Sequence, residues 1–341
     1  MKKVLLFTLS FLIGIILFVW VLKIVGWQEI KNAMLVFTGW QGLVILLITF
    51  LMAVFGTWKW KEILDGKGQK VSFSELWKIY LATFSIRLLA PIIIVGAEIF
   101  QGYILKKRET VPWPQGMASV ILDRILEWTV NLIVILSGAV FFLFTIGIPP
   151  INLFIFTGII LAFFIAAISF FYVKAFKKQS MTKIFGKFLN NGLDNHLFEI
   201  EQEIFSFFKP RQKNMWKVFA LNVVRSGLML FRTWLLIFFL GSNIGILPSM
   251  SVLGFTYLAM IVPIPTSLGS HEAIQTFAFN CLDLKAAAAT AFTMIIRGAD
   301  LMVALLGIFI LFRLGVFLIN ATVFKKAKKV LSKYDKNQQS N

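Results

Sequence analysis

Residues 128–173 read WTVNLIVILSGAVFFLFTIGIPPINLFIFTGIILAFFIAAISFFYV, and none of them is Asp, Glu, Lys or Arg. A helix that crosses a membrane needs about 20 consecutive apolar residues, so this stretch is long enough for two crossings. The Gly-Ile-Pro-Pro sequence at 147–150 divides it, and proline ends a helix because it lacks a backbone N–H. The stretch therefore predicts a transmembrane helical hairpin whose earlier helix begins near Met117.

The composition of the whole chain also indicates a membrane protein. Of the 341 residues, 58% are hydrophobic and 15% are charged, whereas soluble domains are roughly 45–50% apolar and about 25% charged. This composition excludes a soluble globular enzyme and a disordered chain. The single cysteine, Cys281, excludes an internal disulfide and a cysteine-based metal site. His196 and His271 stand far apart in the sequence, so we predict no metal ion and no other cofactor.

Hydropathy predicts an all-α polytopic fold with six full crossings in a single membrane domain, 1–341. The run at 4–22 is longer than the apolar region of roughly 7–15 residues in a signal peptide, so it is interpreted as an uncleaved first crossing. The other crossings are predicted at about 40–57, within 117–173 (two helices), at 216–240 and at 286–312.

Two further apolar stretches, 74–105 and 248–282, are interrupted and do not fit simple crossings. Pro91 and Gly96 interrupt the first stretch. The second is interrupted by Pro263, Pro265 and Gly269. Irregular backbone at membrane depth is tolerated only inside protein or against a water-filled cavity. We predict that both stretches are re-entrant helical hairpins, and the alternative is a pair of ordinary crossings with kinks.

The two interrupted stretches resemble each other, which predicts an internal repeat of about 40–173 and 216–312. In each stretch a proline and a glycine precede a glutamate, Glu98 or Glu272. Arg124 and Arg297 follow these glutamates by 26 and 25 residues. With the predicted crossings, the two hairpins enter from opposite sides, as in the inverted repeats of many transporters. The alternative is chance similarity between two Pro/Gly breaks.

Basic residues predict the orientation. Most of the 34 Lys and Arg, Lys59 among them, fall on one predicted side, whereas Lys23, Lys31 and Lys285 fall on the other. The positive-inside rule then places both termini in the cytoplasm. The linker 176–214 has apolar residues at helical spacing, which predicts amphipathic helices on the cytoplasmic face. A basic tail, 313–341, follows the last crossing.

Ten charged residues fall inside the predicted membrane segments, where each costs at least roughly 2.5–3.5 kcal/mol and is therefore paired or functional. The arginines are Arg87, Arg124, Arg225, Arg232 and Arg297. The acids are Glu98, Asp123, Glu127, Glu272 and Asp300. Spacing of three residues predicts the pairs Arg124–Glu127 and Arg297–Asp300, while Arg225 and Arg232 have no obvious partner. These residues form either buried ion pairs that fix helix register or a binding site.

Familiar catalytic motifs are absent from the sequence. The segment His271-Glu272-Ala-Ile-Gln275 has a glutamine where a zinc-protease helix would have its second histidine. We therefore interpret His271 as a cavity or interface residue. No glycine-rich phosphate loop, nucleophile elbow or aspartate cluster is present in the predicted loops.

Four blocks in the same order resemble the transmembrane region of lysylphosphatidylglycerol synthases, also called the flippase-like family. They are Arg87-Leu-Leu-Ala-Pro91 through Gly96-Ala-Glu98, Ser119-Val-Ile-Leu-Asp-Arg124, Pro263-Ile-Pro265 through Gly269-Ser-His-Glu272, and Arg297. The resemblance covers nearly the whole chain. This sequence has Thr266-Ser267 where the family commonly has glycines.

The resemblance implies a bundle with two re-entrant hairpins that moves lipids between leaflets. Position in the membrane, pairing and this resemblance together predict substrate-binding roles for Arg87, Glu98, Arg124, Glu272 and Arg297. The implied supporting residues are Asp123, Glu127, Asp300, Pro91, Gly96, Pro263, Pro265, Gly269 and His271. The chain ends soon after its last crossing, so we expect a transporter without the lysyltransferase activity of full-length relatives.

The leading hypothesis is a lipid translocase in the plasma (inner) membrane of a bacterium or archaeon. Its substrate would be an anionic phospholipid, a glycolipid or a polyprenyl-phosphate-linked lipid, and no nucleic-acid partner is expected. Two alternatives remain open: a membrane transferase with Glu98 or Glu272 as general base, and a membrane scaffold for a lipid-modifying enzyme. The sequence leaves the oligomeric state open.

Overall fold

The computed structural model describes residues 39–89, 96–146, 151–177, 194–208, 213–261 and 269–338, and these ranges contain ten α-helices and no strand. The helices are α1 Gly39–Gly66, α2 Phe73–Leu89, α3 Gly96–Arg108, α4 Trp113–Ile146, α5 Ile151–Lys177, α6 Asp194–Phe207, α7 Lys213–Phe239, α8 Ile246–Ile261, α9 Ser270–Cys281 and α10 Ala286–Gln338. The predicted all-α class is confirmed. The predicted crossing at 4–22 lies outside the described residues.

Four of these helices are long and apolar enough to cross a membrane. They are α1, α4 up to Thr145, α7, and the part of α10 from Ala286 to Arg313. Helix α5 contains a shorter apolar segment, Ala162–Ala175, and begins after the predicted turn at 147–150. The protein is therefore a polytopic membrane protein, and the number of six crossings stays a prediction.

The two interrupted stretches each form a pair of short helices: the first helix pair is α2 and α3, and the second is α8 and α9. Helices α3 and α9 have 13 and 12 residues. At about 1.5 Å per residue they are roughly 20 and 18 Å long, shorter than the ~30 Å hydrocarbon core. Their lengths fit half-helices. The breaks at 90–95 and 262–268 lie outside the described residues, so re-entry stays a prediction.

Helices from the two predicted repeats pack against each other in a matched pattern. Helix α1 packs against α7, α2 packs along α10, and α8 packs along α4. Within each half, the second short helix packs on the helix that follows it, α3 on α4 and α9 on α10. One helix of each pair therefore lies along the long helix that follows the other pair, α2 along α10 and α8 along α4.

Close backbone approach allows this packing. A Cβ added at Gly138 of α4 would lie 2.6 Å from the Met250 carbonyl oxygen of α8. A Cβ added at Gly307 of α10 would overlap the Leu81 carbonyl oxygen of α2. A serine hydroxyl donates to the backbone at each crossing, Ser251 to Gly138 at 2.9 Å and Ser85 to Ala304 at 2.7 Å. Small residues and hydroxyls are typical of tight helix crossings in membranes.

Helix α6 is the described part of the predicted amphipathic linker. Its buried residues Ile200, Ile204 and Phe207 belong to an apolar cluster with Met117 and Leu122 of α4. Nearby, the Lys67 ammonium lies 3.0 Å from the Glu203 carboxylate. Burial lowers the pKa of Lys67 from its ordinary value, although the neighbouring Glu203 acts in the opposite direction. Helix α6 thus buries its apolar side against α4.

Candidate functional site

A buried lysine connects α1 with α4 and α7. Lys59 is 1% exposed, and its Nζ lies 2.9 Å from Asp123 Oδ1. The same ammonium donates to Asn222 Oδ1 at 3.3 Å, and the Asn222 amide donates to the Leu126 carbonyl at 2.6 Å. The sequence placed Lys59 among the basic residues outside the membrane helices. That prediction was wrong because α1 continues beyond Thr57 to Gly66, which keeps Lys59 on the buried side of the helix.

Helix α4 contributes a chain of ion pairs. The Arg124 guanidinium lies 2.5 Å from both the Asp123 and Glu127 carboxylates, so the predicted Arg124–Glu127 pair is confirmed. The other oxygen of Glu127 accepts a hydrogen bond from Arg225 of α7 at 2.6 Å. Arg225, which had no obvious partner in the sequence, is therefore held by an acid 98 positions earlier.

Arg87 and Glu98 approach each other within the first helix pair. Arg87 lies in the last turn of α2 and Glu98 in the first turn of α3. Their closest distance, from Arg87 Nε to Glu98 Oε1, is 3.4 Å, which is long for a charge-assisted hydrogen bond. Arg87 Nη2 and Glu98 Oε2 are buried, and neither has a hydrogen-bond partner within the described ranges. Among the described pairs that join the charges within the predicted membrane segments, this one has the longest distance.

Glu272 and Arg297 form the corresponding contact in the second half. Arg297 Nη1 lies 2.8 Å from Glu272 Oε1, and Glu272 is fully buried. The other carboxylate oxygen accepts the Gly269 backbone N–H at 2.8 Å, which caps the start of α9. Gly269 has a φ of 81°, a left-handed conformation that glycine adopts without steric cost. The predicted breaking residues Pro91, Pro263 and Pro265 lie outside the described residues, and Gly96 begins α3.

Asp300 binds a different arginine from the one predicted. Arg232 Nη1 lies 2.9 Å from Asp300 Oδ1 and 2.9 Å from Thr49 Oγ1. The expected Arg297–Asp300 pair is thus replaced by Arg297–Glu272 and Arg232–Asp300. Helical spacing alone could not reveal this exchange, because each acid lies nearer to an arginine on another helix. Arg232, which had no obvious partner in the sequence, is therefore held by an acid 68 positions later.

Together these residues form a charge network between the helices. Its cations are Lys59, Arg87, Arg124, Arg225, Arg232 and Arg297, and its acids are Glu98, Asp123, Glu127, Glu272 and Asp300. The predicted balance of five against five is corrected to six cations against five acids, because Lys59 joins the network. The excess positive charge lies in the group that links Lys59, Asp123, Arg124, Glu127 and Arg225, whereas the other three pairs are each neutral.

Two further features complete the site. His271, in the first turn of α9, has a buried Nε2 without a hydrogen-bond partner. Within the described ranges, no group of three His, Cys, Asp or Glu side chains is arranged to hold a metal ion. The residues that the sequence reasoning missed are Lys59, Asn222 and Gln101. A signal for Gln101 was present, since a glutamine stands three residues after both Glu98 and Glu272.

The fold and the charge network define a multi-pass membrane protein with ionised side chains buried between its helices. The sequence profile of the family described as "Lysylphosphatidylglycerol synthase TM region" matches residues 7–307. The chain belongs to this family, whose membrane proteins are lipid-related. It is also similar to UPF0104 membrane protein MJ1595 of Methanocaldococcus jannaschii, with 24% identity over 305 residues, 85% of this chain and 90% of that protein.

Proposed function

We propose that this protein moves a lipid between the leaflets of the plasma membrane, with both of its termini in the cytoplasm. The lipid is an anionic phospholipid, a glycolipid or a polyprenyl-phosphate-linked lipid. Its headgroup passes through a polar groove between the two helix pairs, which re-enter from opposite sides, while its tails stay in the bilayer. Such a groove gives a charged headgroup a path that avoids the hydrocarbon, where charge is costly.

One observation carries this proposal. In both halves an arginine is paired with a glutamate in the first turn of a short helix, and the arginine is the more exposed partner. Arg87 is 28% exposed beside Glu98 at 12%, and Arg297 is 26% exposed beside Glu272 at 0%. A guanidinium has five N–H donors, and the single 3.4 Å contact of Arg87 with Glu98 leaves donors of Arg87 for phosphate. The geometry of the two pairs supports anion binding at each helix pair.

The remaining residues support these two arginines. Arg124 is the third phosphate-binding candidate, since it is 20% exposed although it contacts Asp123 and Glu127. In the proposed mechanism, the headgroup exchanges contacts between the arginines as it moves, and the glutamates bind its hydroxyl or amine groups. Asp123 and Asp300 hold the long helices at a fixed spacing through Lys59 and Arg232.

The test is a leaflet-exchange assay in proteoliposomes with fluorescent phospholipids, glycolipids and polyprenyl-phosphate lipids. We expect headgroup-dependent exchange by the native protein and a loss of at least tenfold in Glu98→Gln and Arg297→Gln, in line with the strength of a charge-assisted hydrogen bond. Glu98→Gln is the more informative variant, because the 3.4 Å contact between Glu98 and Arg87 contributes little to the stability of the fold. Lys78→Met, which removes a part-exposed pair with Glu75 on α2, is the matched control and should keep full exchange.

Absence of exchange for every lipid, from folded native protein, would refute the translocase. The same preparation would then be tested for turnover of a lipid-linked sugar donor, which a transferase predicts, and for co-purification of a lipid-modifying enzyme, which a scaffold predicts. Exchange that persists at the native rate in both site variants would show that the paired arginines and glutamates are structural.

A further inference from the structure

Gln101 of α3 is a buried amide without hydrogen bonds. The residue is 1% exposed, and neither its oxygen nor its nitrogen has a hydrogen-bond partner among the residues that the structure describes. A primary amide offers two donors and an acceptor, and such groups are almost always hydrogen-bonded when buried. Such an amide in the interior of a membrane protein can hydrogen-bond to a ligand from outside the chain.

The glutamine at the same place in the second helix pair differs. Gln275 also stands three residues after its glutamate, and its Nε2 donates to Thr256 Oγ1 at 2.7 Å and to the Val252 carbonyl at 3.2 Å. Both acceptors belong to α8, the other helix of the same pair. In the part of the chain that the structure describes, the second helix pair therefore satisfies the amide nitrogen of its glutamine and leaves only the Oε1 atom without a hydrogen bond, whereas the first pair satisfies neither polar atom of Gln101.

Unsatisfied groups gather around Gln101. Glu98 lies one turn earlier on the same side of α3, because residues three apart are neighbours on a helix. Its Oε2 has no hydrogen bond, and neither has Nη2 of Arg87, the arginine it approaches at 3.4 Å. The first helix pair thus combines donors from Arg87 and Gln101 with an acceptor from Glu98, within a charge network whose one excess positive charge lies in the group around Arg124.

We propose that the first helix pair is a binding subsite for the phosphate of a headgroup with a single negative charge, a phosphodiester. Arg87 and Gln101 donate hydrogen bonds to the phosphate oxygens, and Glu98 accepts one from a hydroxyl of the headgroup. A guanidinium and an amide both suit phosphate oxygens. One negative charge neutralises the network, and buried charge without a counter-charge is unfavourable. This inference deepens the proposed function and rests on it.

The experiment measures binding to the full chain in detergent, independently of transport. The ligands are dihexanoyl phosphatidylglycerol (one negative charge), dihexanoyl phosphatidylcholine (zwitterionic), an uncharged glucosyl diacylglycerol, and inorganic phosphate. Affinity is read from the ligand-dependent rise of the unfolding temperature. We expect phosphatidylglycerol to bind best, and Gln101→Leu to weaken it about tenfold, as loss of a hydrogen bond to a charged group predicts. Inorganic phosphate shows whether the phosphate alone suffices.

Gln275→Leu is the matched control because it removes the same group at the corresponding position. It should lower the unfolding temperature of the free protein and change the affinity for phosphatidylglycerol by less than about twofold, as expected of an independent site. Equal effects of the two substitutions, or no preference for phosphatidylglycerol, would overturn the subsite. Binding that depends on Gln101 in a protein that exchanges no lipid would support the subsite and refute the translocase.

Discussion

Substitution of Lys59 by methionine should be among the most destabilising changes in this protein. The substitution removes an ammonium that lies 2.9 Å from Asp123 and 3.3 Å from the Asn222 oxygen, with both partners nearly inaccessible. Loss of one member of a buried ion pair costs roughly 3–5 kcal/mol because the other charge stays buried. Arg124 still contacts the other oxygen of Asp123, which places the expected loss at the lower end, about 3 kcal/mol.

The protein is unfolded reversibly in mixed micelles by titration with SDS. Circular dichroism measures the loss of helix, from which the free energy of unfolding is obtained. Lys61→Met is the matched control on the same helix, since Lys61 forms a part-exposed i,i+4 pair with Asp65 at 2.6 Å. Such a pair contributes about 0.3–0.5 kcal/mol. Lys59→Met combined with Asp123→Leu should recover much of the loss, because removing both charges of a buried pair is often nearly neutral.

Two results would refute this reasoning. One is a loss of unfolding free energy in Lys59→Met that is no larger than in Lys61→Met. The other is a double variant whose loss equals the sum of the two single losses, because groups in direct contact should show an interaction energy.

Three further predictions concern packing and pairing, and each is measured by the same SDS titration. Gly307→Ala should lose about 1–3 kcal/mol, the usual cost of overpacking, since its Cβ would overlap backbone of α2, while Gly298→Ala, with nothing within 4 Å, should lose nothing. Trp60→Phe should lose about 1 kcal/mol, since its indole N–H donates to Ser119 Oγ at 3.1 Å, and an equal stability would contradict that bond. Glu127→Gln should lose roughly 3–5 kcal/mol, since two arginines share this carboxylate, and a loss below that of Trp60→Phe would contradict the shared pairing.

Much of the fold could be predicted because hydropathy and helix breaks are local properties. The uncharged run at 128–173 gave α4 and α5, and the prolines and glycines separated α2 from α3 and α8 from α9. The Arg124–Glu127 pair was also predictable, because its members lie three residues apart on one helix. These features require no knowledge of how the helices pack.

The rest of the network could not be predicted because its contacts join distant segments. Lys59 binds an acid 64 positions later, and Arg232 binds one 68 positions later. A lysine near the end of an apolar run ordinarily reaches the membrane surface with its long side chain. Lys59 is buried because α7 and α4 cover it, which only the arrangement of the helices determines.

The two arginines of α7 have a consequence for how the protein is made. Among the four long apolar helices of the described ranges, α7 is the least apolar by mean hydropathy. Each arginine near a helix centre opposes membrane insertion by roughly 2.5–3.5 kcal/mol. Arg225 binds Glu127, which is synthesised earlier, whereas Arg232 binds Asp300, which is synthesised later. Helix α7 therefore inserts with Glu127 already present as the counter-charge of Arg225. Arg232 gains its counter-charge, Asp300, only after the last helix has been inserted. The charge pairs of α7 thus form in the order in which the chain is synthesised.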